Sequence, residues 1–374
     1  MKLNKTFGRV ATTLVATAML ASMAVVPASA VGLNEGGYQD NMTDNKVTFT
    51  KTYKMPEKVA VPDIDFTFSF TADEDVNEKR QNADNMEVAV QPGKGTISAV
   101  TITAEGFTDP TVNGGIATYT QNVEFTLPAV SSFSEPGVYK YDVTESASVE
   151  NSDLKMAGVH ALYVFVENGE NGLEITGVEF ADKDLEKTTE WVNYYMLEGD
   201  PDDPDTPPTQ SANELTVAKF VDGAMANMSE EFEFTITVPT NKNLTFYKET
   251  ATDANGNGTI EENEWNVASA TKLDTLAGLK LKNNERVHIY GLANGDSYTI
   301  HENAINSDGY KTVVIGATDN VSAIFGEENV DVVYTNTREA VSPTGLVMDV
   351  APYVLLVVVA AAGCFIFMRK RRED

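Results

Sequence analysis

The sequence predicts an all-β protein that contains two tandem β-sandwich domains. Short runs alternate between apolar and polar residues, as in FTFSF at 66–70 and FEFTI at 232–236, and such alternation is typical of half-buried antiparallel strands. Glycine, asparagine, aspartate and proline separate these runs, and no long helical period occurs between the two apolar ends of the chain. Many short strands joined by turns favour a sandwich in each half.

A stretch rich in proline and aspartate divides the strand-rich region. Such a composition cannot pack a core and favours an extended, stiff chain. We therefore predict five segments: a signal peptide (1–30), a first sandwich (31–198), an extended linker (199–211), a second sandwich (212–338) and a C-terminal apolar segment with a basic tail (339–374).

The N-terminus has the composition of a secretory signal peptide. Lys2, Lys5 and Arg9 precede an apolar stretch at 10–26, and the small residues Ala-Ser-Ala at 28–30 fit a cleavage site. The mature chain is therefore predicted to begin at Val31 and to function outside the cytoplasm.

Composition argues against several classes of function. The formal charge is −29, from 56 acidic and 27 basic residues, so the chain repels nucleic acid and anionic membrane. The only cysteine, Cys364, lies in the C-terminal apolar segment, so the exported part has no disulfide. The three histidines (His160, His288 and His301) are scattered, and no hydrolase, P-loop or dinucleotide-binding motif is present. The sequence therefore predicts a protein that is not an enzyme.

The C-terminus combines a short polar motif, an apolar helix and a basic cluster. The motif reads VSPTG at 341–345, and the apolar run at 351–368 would span roughly 27 Å as a helix, enough to cross a bilayer core. The basic residues at 369–372 would hold that end in the cytoplasm. Together these parts resemble the cell-wall sorting signal of Gram-positive surface proteins, with Thr344 and Gly345 at the sortase cleavage site. The alternative is a tail anchor that is never cut.

This resemblance implies a set of partners and a location. A sortase would cleave the precursor, peptidoglycan would receive the mature chain, and the membrane would hold the precursor only. The expected location is the cell wall surface of a Gram-positive bacterium.

Both halves carry a lysine, a glutamate and an asparagine in the same order. Each of the six is in phase with apolar residues of its own strand, so each points at an apolar face. They are Lys51, Glu145 and Asn193 in the first half, and Lys219, Glu302 and Asn336 in the second. A buried lysine loses its charge readily, and a buried glutamate keeps its proton. The neutral amine could then attack the asparagine carboxamide and form an isopeptide bond while the glutamate moves protons.

Both halves resemble the isopeptide-linkage domains of Gram-positive pilins, with an FctA-type domain first and a CnaB-like domain second. The motifs that carry the resemblance are V-x-K, Y-T-I-x-E and Y-T-N-T in the second half, with looser equivalents in the first. The resemblance implies immunoglobulin-like sandwiches with the lysine on the first strand, the asparagine on the last, and the acid between. Glu167 is a spare acid candidate in the first half. The alternative is that the lysines are exposed on edge strands and the asparagines end strands in ordinary turns.

A loop at 253–264 fits the twelve-residue calcium pattern of EF-hands. Oxygen-bearing side chains stand at the ligand positions, with glycine at position six and glutamate at position twelve. The candidate ligands are Asp253, Asn255, Asn257, Thr259, Glu261 and Glu264. A plain hairpin turn is the alternative, and no cofactor is required for the isopeptide chemistry.

Taken together, the motifs predict a structural surface protein, a backbone pilin that a sortase polymerises with other copies of itself. A singly wall-anchored adhesin or stalk of the same domains is the alternative. The resemblance to FctA-type pilins implies that the lysine that links subunits lies near the last strand of the first domain, as Lys183 or Lys187.

Overall fold

The computed structural model describes residues 42–43, 45–81, 86–103, 106–107, 109–148, 153–184, 187–188, 190–203 and 207–341. These residues form strands, turns and short 3-10 helices, and they contain no α-helix. The 3-10 helices are Val130–Ser132, Glu262–Glu264 and Val267–Ser269. The predicted all-β fold is confirmed.

The first sandwich is built from two sheets. Its strands are β1 (Met42–Thr43), β2 (Lys46–Pro56), β3 (Phe66–Ala72), β4 (Lys79–Gln81), β5 (Glu87–Pro92), β6 (Val100–Ile102), β7 (Thr111–Asn113), β8 (Ile116–Thr126), β9 (Gly137–Ala147), β10 (Leu154–Lys155), β11 (His160–Gly169), β12 (Gly172–Ala181) and β13 (Glu190–Tyr195). One sheet has the order β10-β13-β2-β8-β7, with β1 paired to β2. The other has the order β12-β11-β9-β3-β6, and β5 extends it beside β9 and carries β4.

The second sandwich repeats this plan with fewer strands. Its strands are β16 (Glu214–Asp222), β17 (Phe232–Thr237), β18 (Thr245–Thr250), β19 (Thr271–Leu273), β20 (Leu279–Leu281), β21 (Glu285–Tyr290), β22 (Ser297–Glu302), β23 (Lys311–Ile315), β24 (Ala323–Ile324) and β25 (Val330–Thr337). The sheets have the orders β19-β18-β21-β16-β25-β23 and β20-β17-β22-β24.

Aromatic side chains fill the core of the first sandwich. Measured between ring centroids, Phe49 lies 4.3 Å from Trp191 on the neighbouring strand β13 and 4.9 Å from Phe68 on the facing sheet. The alternation along β11 supplies a second, smaller cluster on the outer face of its sheet, where Tyr163 and Phe165 pack with residues of β5 and β9. Strand β11 is therefore buried on both faces.

The first and last long strands of each sandwich lie side by side. Strand β2 pairs in parallel with β13, and β16 pairs in parallel with β25. In the facing sheets, β3 pairs with β9 and β17 with β22, so that Phe68 lies opposite Glu145 and Phe234 opposite Glu302. The two halves thus share one topology at the positions of the predicted triads.

The linker at 199–211 differs from the extended chain that its prolines predict. Strand β14 (Leu197–Glu198) pairs antiparallel with β15 (Thr209–Gln210), so the chain turns back on itself. Turn chemistry explains the difference: Asp200 accepts hydrogen bonds from the backbone N–H groups of Asp202 and Asp203. The Asp202 carboxylate also accepts the N–H of Gly158, which holds the turn against the first sandwich.

Several predicted features lie outside the residues that the structure describes. They are the signal peptide at 1–30, the cleavage site at Thr344 and Gly345, and the apolar run at 351–368. Within the part that the structure describes, no helix has the length and apolar character needed to cross a membrane.

Candidate functional site

The first predicted triad is assembled inside the first sandwich. The Lys51 Nζ lies 2.9 Å from both carboxylate oxygens of Glu145, and both side chains are fully buried. The Asn193 Nδ2 donates a hydrogen bond of 3.0 Å to Glu145 Oε1. The carboxylate therefore bridges the amine and the amide nitrogen.

The second triad has the same arrangement. The Lys219 Nζ donates to Glu302 Oε2 at 2.8 Å, and both side chains are fully buried. The Asn336 Nδ2 donates to Glu302 Oε1 at 2.5 Å. The six residues that the sequence singles out are thus brought together as two sets of three.

Strand register places these side chains together. Lys51 lies opposite Trp191, two residues before Asn193 on the parallel neighbour β13, and Lys219 lies opposite Tyr334, two residues before Asn336 on β25. Residues two apart share one face of a strand, so the lysine and the asparagine both point into the sandwich. The glutamate side chain projects from the facing sheet.

The surroundings of each amine are apolar and aromatic. The Lys51 Nζ lies 5.2 Å from the centre of the Phe66 ring, and the Lys219 Nζ lies 4.1 Å from that of Phe232. Removal from water lowers the pKa of Lys51 to about 8 and that of Lys219 to about 8, although the adjacent glutamates oppose the shift. Each of these two lysines is therefore in its neutral amine form far more often than a lysine in water.

The acid of the first triad is shifted in the complementary direction. Burial raises the pKa of Glu145, against the opposing charge of Lys51 and hydrogen bonds from Lys51 and Asn193. Both shifts favour transfer of the proton from ammonium to carboxylate, which leaves a nucleophilic amine beside a carboxylic acid.

The amide oxygens of the two asparagines have different environments. The Ala157 N–H donates a hydrogen bond of 3.0 Å to Asn193 Oδ1, whereas Asn336 Oδ1 is buried without a hydrogen-bond partner among the described residues. A backbone donor at this position stabilises the negative charge that develops on the oxygen during attack at the amide carbon. The sequence gives no signal for Ala157, because the donor is a backbone group.

A carboxylate that the sequence patterns do not reveal supports the second triad. Asp319 accepts hydrogen bonds from the Glu302 N–H at 3.0 Å and from the Tyr334 hydroxyl at 2.9 Å. Its other oxygen lies 2.9 Å from His301 Nδ1. These contacts fix the backbone of the glutamate and an aromatic neighbour of the asparagine.

The remaining acid candidate of the first half lies elsewhere. Glu167 is exposed near the turn of the β11–β12 hairpin, opposite Glu174. Glu145 is the carboxylate that meets Lys51, so the spare candidate has no place in the triad.

The predicted calcium loop is closed by its own hydrogen bonds. Asp253 accepts the N–H groups of Gly256, Asn257 and Gly258, and Glu264 accepts those of Ala254, Asn255 and Glu261. The side chains of the candidate ligands Asn255, Asn257, Thr259 and Glu261 lie in the same loop. No group of three or more histidine, cysteine, aspartate or glutamate side chains in the described ranges is arranged to hold a metal ion. Calcium binding by this loop therefore stays a prediction.

The two lysines that are candidates for the link between subunits form ion pairs with differently exposed carboxylates. Lys183 forms an exposed ion pair with its neighbour Asp184 at 2.8 Å. Lys187 lies 2.8 Å from the buried carboxylate of Glu179.

Comparison with known proteins agrees with this architecture. Residues 213–338 match a family described as a Domain of unknown function (DUF7601). Over 352 residues the chain is 26% identical to a pilin of Streptococcus pyogenes serotype M1. The aligned region covers 87% of this chain and 91% of that relative.

Solved structures show the same fold. The crystal structure of the major pilin from Streptococcus pyogenes matches with a TM-score of 0.52 and 22% identity, over 80% of this chain and 100% of that one. A variant of that major pilin matches with a TM-score of 0.50 and 21% identity, also over 80% of this chain and 100% of that one. The resemblance to Gram-positive backbone pilins that the motifs indicate is confirmed.

Proposed function

We propose that this chain is a backbone pilin, a structural subunit that a sortase joins into a covalent polymer on the surface of a Gram-positive cell. The polymer would end in a bond to peptidoglycan. Its role is structural rather than enzymatic, in keeping with the homologous pilins.

The observation that carries the proposal is the pair of buried triads between the first and last long strands of each sandwich. The chain enters the first sandwich through β2 and leaves through β13, and it enters the second through β16 and leaves through β25. A bond from Lys51 to Asn193, and another from Lys219 to Asn336, would carry tension between these strands without loading the rest of each domain. Such a bond suits a fibre under load, and reduction cannot break it.

The bond would form in one turnover without a cofactor. The glutamate takes a proton from the lysine ammonium, and the neutral amine attacks the asparagine side-chain carbon. The glutamate then passes this proton to the amide nitrogen, to which it is already hydrogen-bonded, and takes a second proton from the attacking nitrogen. The bond between the side-chain carbon and the amide nitrogen breaks, and ammonia leaves. A secondary amide and a neutral carboxylic acid remain, so no charge stays buried.

This geometry refines the role expected of the glutamate. In both triads the carboxylate meets the amide nitrogen of the asparagine rather than its oxygen. The glutamate is thus suited to proton transfer toward the leaving group. In the first sandwich, the Ala157 N–H supplies the contact to the oxygen.

Assembly would use the sequence motif at 341–345. A sortase would cleave between Thr344 and Gly345 and hold the threonine as a thioester, which a lysine of another copy would attack. The run at 351–368 would retain the precursor in the membrane until cleavage. A singly anchored stalk would share the internal bonds and the wall attachment but would lack this linking lysine.

A denaturing gel of wall extract from cells with the partner sortase tests the proposal. A ladder of covalent multimers is the expected result for the wild-type chain, and Thr344→Ala should abolish both the ladder and wall attachment. A single monomer-sized band from the wild type would instead identify an anchored stalk.

A further inference from the structure

The backbone donor of the first triad lies in a short loop. Residues 156–159 connect β10 to β11 and pass from one sheet of the first sandwich to the other. Met156 and Val159 are exposed, whereas Ala157 is buried and donates its N–H to Asn193 Oδ1. Strand pairing of β10 and β11 fixes only the two ends of the loop. The direction of the Ala157 N–H therefore depends on the contacts that the loop itself makes.

A carboxylate of the linker binds the residue that follows this donor. Both oxygens of Asp202 accept the N–H of Gly158, at 3.1 Å and 2.9 Å. A Cβ at Gly158 would lie 2.8 Å from Asp202 Oδ2, so any side chain there would push the carboxylate away. His160 Nδ1 lies 3.0 Å from the Gly158 oxygen, and His160 is the donor because a carbonyl oxygen only accepts. Both backbone groups of Gly158 are therefore held.

The linker turn that carries Asp202 is itself fixed to the first sandwich. The side chain of Asp200 accepts the Asp202 N–H at 3.0 Å, and the flanking strands β14 and β15 pair with each other. Glu198 joins this hairpin to β10, because its Oε2 lies 2.8 Å from Lys155 Nζ while its Oε1 accepts the Ser211 hydroxyl at 2.9 Å. The linker thus presents Asp202 to the loop at 156–159 from a fixed position.

We propose that Asp202 is a positioning residue for the first isopeptide bond: through Gly158, it keeps the Ala157 N–H directed at the amide oxygen under attack. This inference rests on the proposed isopeptide chemistry and deepens it by giving the linker a part in that reaction. The donor stabilises the negative charge that develops on the Asn193 oxygen, and it does so only while the loop holds its direction. Release of Gly158 from Asp202 would free the loop to turn this donor away.

The position and the charge of Asp202 affect the reaction in opposite directions. Burial lowers the pKa of Lys51, and the negative charges of Glu145 and Asp202 oppose this shift. The charge of Asp202 by itself therefore disfavours the neutral amine that attacks. Removing the carboxylate should speed the first bond if only its charge matters, and should slow the bond if the carboxylate holds the donor.

The rate of bond formation tests the proposal. The chain 31–344 is produced in a short pulse, and time-resolved mass spectrometry follows the first bond (Lys51 to Asn193) and the second bond (Lys219 to Asn336) in the same sample. Asp202→Ala should slow the first bond about 10-fold, which is less than the loss expected when an oxyanion donor is removed outright. The second bond should keep its rate and serves as the internal control. A first bond that forms at the wild-type rate or faster would overturn the proposal.

Matched variants separate the contact from the charge. Asp202→Asn removes the charge but keeps an oxygen acceptor, so it should restore most of the rate. Gly158→Ala keeps the carboxylate but leaves no room for its contact, so it should slow the first bond as Asp202→Ala does. Asp184→Asn removes an exposed carboxylate of the same sandwich and should have no effect. An Asp202→Asn chain as slow as Asp202→Ala, or a Gly158→Ala chain as fast as wild type, would contradict the role of the contact.

Hydrogen exchange distinguishes positioning from a general loss of stability. Glu145→Gln should prevent proton transfer, so the Ala157 amide can be observed before the bond forms. In this background, Asp202→Ala should speed exchange at Ala157 and leave exchange along β2 and β13 unchanged. Faster exchange throughout the first sandwich, or unchanged exchange at Ala157, would refute the positioning role. A wild-type chain that lacks the first bond would refute the proposed chemistry and this inference with it, whereas an unchanged rate in Asp202→Ala refutes this inference alone.

Discussion

Loss of the second internal bond should lower stability by an amount that the fold allows us to estimate. Asn336→Ala removes the electrophile but leaves the Lys219–Glu302 ion pair in place. The bond would close a loop of about 120 residues, and losing such a cross-link costs about 5 kcal/mol in unfolded-state entropy. For a domain of this size, that corresponds to a fall in melting temperature of roughly 15–20 °C.

A matched variant isolates the buried charge. Glu302→Ala also prevents the bond, but it leaves the fully buried Lys219 amine without its partner. An unpaired buried charge costs about 3–5 kcal/mol more, so this variant should melt below Asn336→Ala. Differential scanning calorimetry of the chain 31–344 gives both values. Equal melting temperatures for wild type and Asn336→Ala would refute the cross-link, and equal values for the two variants would refute the argument about the buried amine.

Three further results are expected. Replacing Ala157 with proline removes the N–H donor to the first amide oxygen, so bond formation in the first sandwich should slow about 100-fold in time-resolved mass spectrometry, with the second bond unaffected. Burial disfavours charge on His288, but its hydrogen bonds to the carboxylates of Glu214 and Glu249 outweigh this effect and raise its pKa. Its contribution to stability is therefore complete below pH about 6.5 and is lost as pH rises through the raised value. The melting temperature of the second sandwich should fall over that range, and His288→Gln should remove this dependence. Calcium at a few millimolar should stabilise the second sandwich by about 1 kcal/mol, and Asp253→Asn with Glu264→Gln should abolish the shift; no shift in the wild type would identify the loop as a plain turn.

The strand pattern was sufficient to predict the fold class and the members of both triads. Alternation fixes which face a side chain occupies, so a lysine in phase with Leu215 and Val217 had to point into the core. The repeated order of lysine, glutamate and asparagine then related the two halves.

Other features depend on contacts that alternation does not encode. The backbone donor at Ala157 and the carboxylate of Asp319 come from loops, whose positions follow from tertiary packing. The linker at 199–211 turns back because the side chain and the backbone oxygen of Asp200 close a turn there, which outweighs the extended preference of its prolines. An ion pair joins Arg80 on β4 to Glu179 on β12 across 99 residues of sequence, and no local pattern predicts it.

The measurement that tests the central claim most directly is the intact mass of the chain 31–344, produced without sortase and denatured before analysis. Each isopeptide bond releases one ammonia, so the measured mass should fall short of the calculated mass by two ammonia molecules. Proteolysis should then give two branched peptides, one joining Lys51 to Asn193 and the other joining Lys219 to Asn336. A mass equal to the calculated value would contradict the account.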